Sequence, residues 1–318
     1  MLNYPLHKKE KEDRIIWASV RSTLEAFRFK HKRSGKKTRS KWTLFERLLW
    51  VFKLLLKLAG LYEKGLANAK NIEVTNVKLA FPDLPSAFNG FKILHLSDLH
   101  IDAIEGLENI LVRKIKPLDF DLCVITGDFR MDTTGSFRQI FPAMQKLMTV
   151  LRPENGVLAV LGNHDTYKMV DLLEQLGIRF LLNESVFVEK ENQRLLITGT
   201  DDTYYFYTDM ALHALEHNGN DFSIVLSHTN ELSDVAAENN YKLYLCGHTH
   251  GGQICLPGGI PVISHQKEIR ERVRGLWRQN GMMGYTSAGA GVSGIPLRFN
   301  CPPEITVFEL MRGDTAPV

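Results

Sequence analysis

The sequence predicts an α/β sandwich behind a basic helical arm, on three observations. Short apolar runs alternate with helical patterns from Asn71 onward, and five of those runs end in a polar cluster of Asp, His or Asn. Charge is divided along the chain: residues 1–64 hold 17 Lys and Arg against 6 Asp and Glu, and the rest holds 22 against 30. With 318 residues, 44% hydrophobic and 24% charged, the chain is long and apolar enough for one large core or two modest ones, which excludes disorder throughout.

The arm comes first. The opening "MLNYPLHKKEKEDR" lacks the apolar core of a secretory signal. In "IIWASVRSTLEAF", Ile16, Val20, Leu24 and Phe27 follow a helical rhythm. The basic linker "HKRSGKKTRSK" then leads to "WTLFERLLWVFKLLLKLAGLYEKGLANA", where Glu46, Lys53, Lys57 and Lys64 share one narrow face of a second helix.

A transmembrane helix needs about 20 apolar residues, whereas Leu48 to Tyr62 offers fifteen with two lysines inside. A helix lying in the membrane interface fits better, with Trp42 and Trp50 at headgroup level and the linker on anionic lipid. The alternatives are a helix docked on its own globular domain or a dimer contact. Residues 1–70 are thus expected to be an amphipathic, membrane-associating arm, and 71–318 the globular domain.

In the body, "FKILHLSD", "DLCVITGD", "GVLAVLGNHD", "RLLITGTDD", "DFSIVLSH" and "YKLYLCGHTH" read as buried strands. Between them "LENILVRKI", "FRQIFPAMQKLMTVL", "YKMVDLLEQLG" and "TDMALHALEHN" read as helices. After Gly252, "GIPVIS", "MMGYTSAGAG" and "EITVFEL" read as strands joined by Gly- and Pro-rich turns. The four cysteines, Cys123, Cys246, Cys255 and Cys301, show neither metal nor disulfide spacing.

The strand-end clusters are Asp98 with His100, Asp128, Asn163 with His164, His228, and His248 with His250. A lone His at a strand end is usually hydrogen-bonded and inert, but five clusters at the same end of their strands converge on one side of a sheet. Carboxylate, imidazole and carboxamide without thiolate suit Mn²⁺, Fe²⁺ or Zn²⁺. Eight such groups are too many for one ion and suit a pair about 3.5–4 Å apart.

D-x-H at Asp98 to His100, G-D at Gly127 and Asp128, G-N-H-D at Gly162 to Asp165, His228, and G-H-T-H at Gly247 to His250 together resemble the calcineurin-like metallophosphoesterases, over about residues 72–310. The tail "GVSGIPLRFNCPPEI" is similar to a bacterial branch of phosphodiesterases and lipid A precursor hydrolases.

The resemblance implies a four-layer α-β-β-α sandwich and two divalent ions, manganese ahead of iron or zinc. It assigns Asp98, His100, Asp128 and His250 to the first metal, and Asp128, Asn163, His228 and His248 to the second, with Asp128 bridging. It makes His164 the group that protonates or hydrogen-bonds the leaving oxygen. Many members orient that histidine through G-D-x-x-D; here "GDFRMD" puts Asp132 one residue late, so Asp132 and Asp165 are both candidates. Arg298 is a candidate phosphate ligand, although a surface Arg is its commoner reading, and His95 is expected in the core.

The expected function is hydrolysis of a phosphodiester or pyrophosphate bond by a metal-bridging hydroxide. The acidic body and the lack of aromatic and basic interleaving near the motifs argue against nucleic acid. The arm points to a lipid-linked substrate such as UDP-2,3-diacylglucosamine and to an anionic membrane surface bound through residues 1–64, at the cytoplasmic face of the inner membrane. A chain starting near Asn71 is expected to keep activity on a soluble diester while losing liposome binding. The alternatives are a cyclic-nucleotide or general phosphodiesterase, and a non-enzymatic scaffold, which the intact ligand set disfavours.

Overall fold

A computed structural model describes residues 8–34, 51–217, 219–262 and 272–314. Two six-stranded sheets form its centre. The first runs β1 (Glu73–Phe81), β14 (Glu304–Arg312), β2 (Phe91–Leu96), β3 (Leu122–Thr126), β4 (Val157–Val160) and β5 (Ile178–Phe180). The second runs β12 (Gly275–Gln279), β13 (Met282–Thr286), β9 (Leu243–Cys246), β8 (Phe222–Leu226), β7 (Gln193–Gly199) and β6 (Glu184–Lys190). A two-stranded ribbon, β10 (Cys255–Leu256) with β11 (Ile260–Pro261), lies apart; of the expected "GIPVIS" strand, Gly259 belongs to the turn, Ile260 and Pro261 form β11, and the last two positions lie outside the described residues.

Leu79, Ile93, Val124, Leu158, Ile197, Ile224, Leu245 and Phe308 fill the space between the sheets. Outside the first sheet, Leu94, Leu96, Cys123 and Ile125 pack on α3 (Leu107–Ile115), α4 (Phe141–Leu147) and α5 (Val170–Glu174). Outside the second, Val225, Tyr244 and Cys246 pack on α6 (Asp209–Ala214) and α7 (Ser233–Glu238). These are the four layers α-β-β-α. Strands buried on both faces become nearly continuous apolar runs, which is why β2, β3, β4, β7, β8 and β9 were readable. β1, β5, β6 and β12 have no counterpart among those runs, because they are the edges of the two sheets and keep one side polar.

The parallel pairs β2–β3–β4 and β7–β8–β9 bring their C-terminal ends to one rim of the sandwich. All five polar clusters follow those ends. Connections there leave regular structure at once: Asp98, His100, Asp128, His248 and His250 all have positive φ, between 34° and 72°. Non-glycine residues rarely adopt that backbone, and it occurs mostly where the surroundings enforce it.

The arm is part of this body. Helix α1 (Lys8–Ser34) docks through Arg14, Trp17, Arg21, Glu25 and Arg28, which recur at helical spacing. Of the stripe Ile16, Val20, Leu24 and Phe27, Leu24 is half-buried and the others face outward, with Ile16 at 56% and Phe27 at 54% exposure. Helix α1 is held on the body through polar chemistry. Residues 51–58 are helical and lead to α2 (Tyr62–Lys70), and Leu56 and Leu66 pack on Leu297 and Phe299. Trp42, Trp50, Glu46 and most of the basic linker lie outside the described residues.

Candidate metal centre

Seven side chains from five strand ends meet at the rim. His100 Nε2 stands 3.2 Å from His250 Nε2 and 3.5 Å from Asp128 Oδ2. His250 Nε2 is 3.5 Å from Asp98 Oδ1. On the other side, His228 Nε2 is 2.9 Å from Asn163 Oδ1, 3.2 Å from His248 Nδ1 and 3.4 Å from Asp128 Oδ2. His248 Nδ1 is also 2.9 Å from Asn163 Oδ1. Two groups of donors result, and Asp128 belongs to both.

Two of the rings are pinned from behind. His100 Nδ1 lies 2.7 Å from the Arg130 carbonyl and His228 Nδ1 lies 2.8 Å from the Thr126 carbonyl. A carbonyl oxygen only accepts, so each Nδ1 carries a proton and each Nε2 faces the centre. His228 Nε2 thus confronts carboxamide and carboxylate oxygens, an arrangement of acceptors that is repulsive until a positive charge sits among them. Burial works against a charged His228, yet the carboxylates of Asp128, Asp98 and Asp202 prevail and hold its pKa well above the ordinary value.

The remaining groups are ready to ligate. Burial pushes the His100 pKa down to about 4 and that of His250 well below its usual range, leaving both neutral at physiological pH. Burial, reinforced by the Asp128 charge, lifts Asp98 to about 6. Asp128 resists its burial and lies well below the carboxylate range, because His228, His164 and His100 surround it. The donor chemistry fits a pair of divalent cations.

Backbone support is tight. The Asp165 carboxylate accepts N–H bonds from Asp128, Phe129 and Gly162 at 2.8, 2.9 and 2.8 Å, while Asp98 accepts from His248 N at 2.9 Å. A Cβ on Gly162 would collide with Asp128 Oδ1, so glycine there makes room for the shared carboxylate.

His164 lies beside these groups, half-buried, its ring edge-on to His100 at 4.8 Å. Its Nδ1 bonds the Met131 carbonyl, which leaves Nε2 facing elsewhere. Neither expected acid orients it: Asp165 is spent on backbone N–H groups, and Asp132 is exposed. Arg298 is not a phosphate ligand either, since it is fully buried and donates to the carbonyls of Ala288, Gly289 and Gly291. His95 is core, hydrogen-bonded to Thr126 and pushed by burial to about 3.

Sequence reasoning missed what α1 contributes. Arg21, buried between Asp201 and Glu25, donates to the carbonyls of Gly162 and Asp165. Glu25 accepts from Thr166 Oγ1 and Tyr167 N. Arg28 donates to the Asn163 carbonyl at 2.6 Å. The helix therefore grips the segment 162–167 that carries Asn163 and His164. The available signal was the second stripe, in which Trp17 and Glu25 interrupt arginines at intervals of three and four.

A family model described as calcineurin-like phosphoesterase matches residues 91–252. The uncharacterized metallophosphoesterase YkoQ of Bacillus subtilis is 30% identical over 82% of this chain and 100% of its own length. The uncharacterized metallophosphoesterase YkuE of the same organism is 30% identical over 75% of this chain and 85% of its own. The phosphodiesterase YaeI of Escherichia coli is 30% identical over 70% of this chain and 82% of its own.

Proposed function

Because the chain belongs to the calcineurin-like phosphoesterase family, we propose that it hydrolyses a phosphodiester or pyrophosphate bond at a two-metal centre built from Asp98, His100, Asp128, Asn163, His228, His248 and His250. A metal-dependent phosphoester hydrolase follows from the family itself. The observation that carries the finer reading is the position of Asp128 Oδ2, 3.5 Å from His100 Nε2 and 3.4 Å from His228 Nε2.

In this reading Asp98, His100, Asp128 and His250 hold one ion, and Asp128, Asn163, His228 and His248 the other. Bound there, the pair supplies Lewis acidity toward a phosphoryl oxygen and lowers the pKa of water enough for hydroxide near neutrality. His164, anchored through Nδ1, has Nε2 left to deliver a proton to the leaving oxygen. Oxygen and imidazole donors without thiolate favour manganese, then iron or zinc. Asp128→Asn in the full chain should abolish turnover of bis-p-nitrophenyl phosphate and lower bound metal; wild-type-like turnover in that variant would refute the centre.

The substrate reading is a lipid-linked diester or pyrophosphate such as UDP-2,3-diacylglucosamine, met at the cytoplasmic face of the inner membrane. Its support is the outward face of α1, with Ile15, Ile16, Val20 and Phe27 exposed, and the exposed Phe52, Leu55 and Leu58 further along the arm. Among the described residues no helix is long and apolar enough to cross a membrane. Since the opposite face of α1 holds the Asn163–His164 segment, a surface met by α1 lies one helix away from the chemistry. Replacing Ile16, Val20 and Phe27 together by Ser should abolish flotation with anionic vesicles while sparing the soluble diester. Unchanged flotation would remove the membrane part and favour a soluble or cyclic-nucleotide diester.

A further inference from the structure

A phosphate diester or pyrophosphate brings negative charge to the rim, and the arginines there differ in what they have left to give it. Arg298 and Arg130 are spent on backbone carbonyls. Arg21 is spent on Asp201, Glu25 and two carbonyls. Arg28 is different. Its Nη1 donates to the Asn163 carbonyl at 2.6 Å, but its Nε finds no acceptor, and no carboxylate pairs with it among the described residues.

Its surroundings place it at the second group of metal donors. The guanidinium lies 3.7 Å over the ring of Tyr205, whose neighbour Tyr204 has its ring centroid 4.6 Å from that of His248, tilted against it. The carbonyl it holds belongs to Asn163, whose Oδ1 faces His228 and His248. Arg14 and Arg21 on the same helix are paired with carboxylates, Arg14 with Glu174 and Glu184 and Arg21 with Asp201 and Glu25. Arg28 has no such carboxylate among the described residues, and its Nε is left without an acceptor.

We propose that Arg28 is a substrate-binding residue, its guanidinium fixed on the Asn163 carbonyl and the Tyr205 face so that its remaining N–H groups meet a non-bridging phosphoryl oxygen of the substrate. The assignment rests on the two-metal phosphoesterase reading. It gives the arm a chemical role: helix α1 brings the phosphate-binding cation to a site whose metal donors all come from the body. Arginine suits the task because its planar fork keeps one N–H on the carbonyl while others face the anion.

The test uses metal-loaded full-length protein, as wild type, Arg28→Met and Arg28→Lys. Calorimetry measures the affinity for inorganic phosphate, steady-state kinetics measures KM and kcat on bis-p-nitrophenyl phosphate, and metal content is determined alongside. Arg28→Met should weaken phosphate binding and raise KM by about 10-fold, the size of one charge-assisted hydrogen bond, with kcat less affected. Metal content should stay at the wild-type level, and Arg28→Lys should fall between the two. Phosphate affinity in Arg28→Met equal to that of the wild type overturns the proposal. So does a loss that coincides with lost metal in both variants, because Arg28 would then act only through the fold of the 162–167 segment. Arg28-dependent phosphate binding by a protein that turns over no ester would support the assignment while sinking the catalytic reading.

Discussion

The carboxylate of Asp165 accepts the backbone N–H of Asp128 at 2.8 Å, so a buried acid outside the donor set fixes the residue shared by both halves of the centre. Asp165 also takes N–H bonds from Phe129 and Gly162. An asparagine there would turn its NH₂ toward at least one of these donors. Asp165→Asn should therefore lower kcat by about 100-fold, at about 2.7 kcal/mol, and reduce bound metal. Full activity in that variant would show that the three bonds are dispensable.

His164 offers a cleaner distinction. If its Nε2 protonates the leaving oxygen, His164→Gln should cost about 10²–10⁴-fold on an alkyl phosphoester, whose leaving group needs the proton. A p-nitrophenyl ester should lose far less. Equal losses on the two substrates would assign His164 to positioning, through the bond of its Nδ1 to the Met131 carbonyl.

Arg21 links the arm to the site. Arg21→Met removes a buried cation from Asp201 and Glu25 and frees the carbonyls of Gly162 and Asp165. Breaking one side of such a network costs about 3–5 kcal/mol. The thermal midpoint should fall, and activity on a soluble diester should fall with it even where the protein remains folded. An unaltered kcat in the folded variant would show that α1 is only attached to the body.

His95 sets a pH dependence that is independent of the metals. Burial lowers its pKa from 6.5 to about 3, so the unfolded chain binds a proton that the native state refuses throughout that window. Stability is therefore fully present above pH 6.5 and is lost as pH falls toward 3. Thermal midpoints between pH 7 and 4.5 should show this decline, and His95→Gln should flatten it. An identical slope in the variant would place the titrating group elsewhere.

The sequence by itself determined the sheets' inner strands and the candidate donors. Asp98, His100, Asp128, Asn163, His228, His248 and His250 stand directly after apolar runs, and the buried strand and the polar group at its end are both local properties of the chain. The edge strands were not legible, because their half-exposed faces break the apolar pattern. Only the tertiary structure decided which face of α1 turns inward. On the helix alone, the stripe of Ile16, Val20 and Phe27 promises more apolar burial than Arg14, Trp17, Arg21 and Arg28. The body reverses that preference, since Asp201, Glu174, Glu184 and the open carbonyls of residues 162–165 need donors from elsewhere in the chain. Polar groups leaving water need specific partners, whereas apolar contact is non-directional, so partners more than 130 positions away outweighed the pattern within the helix.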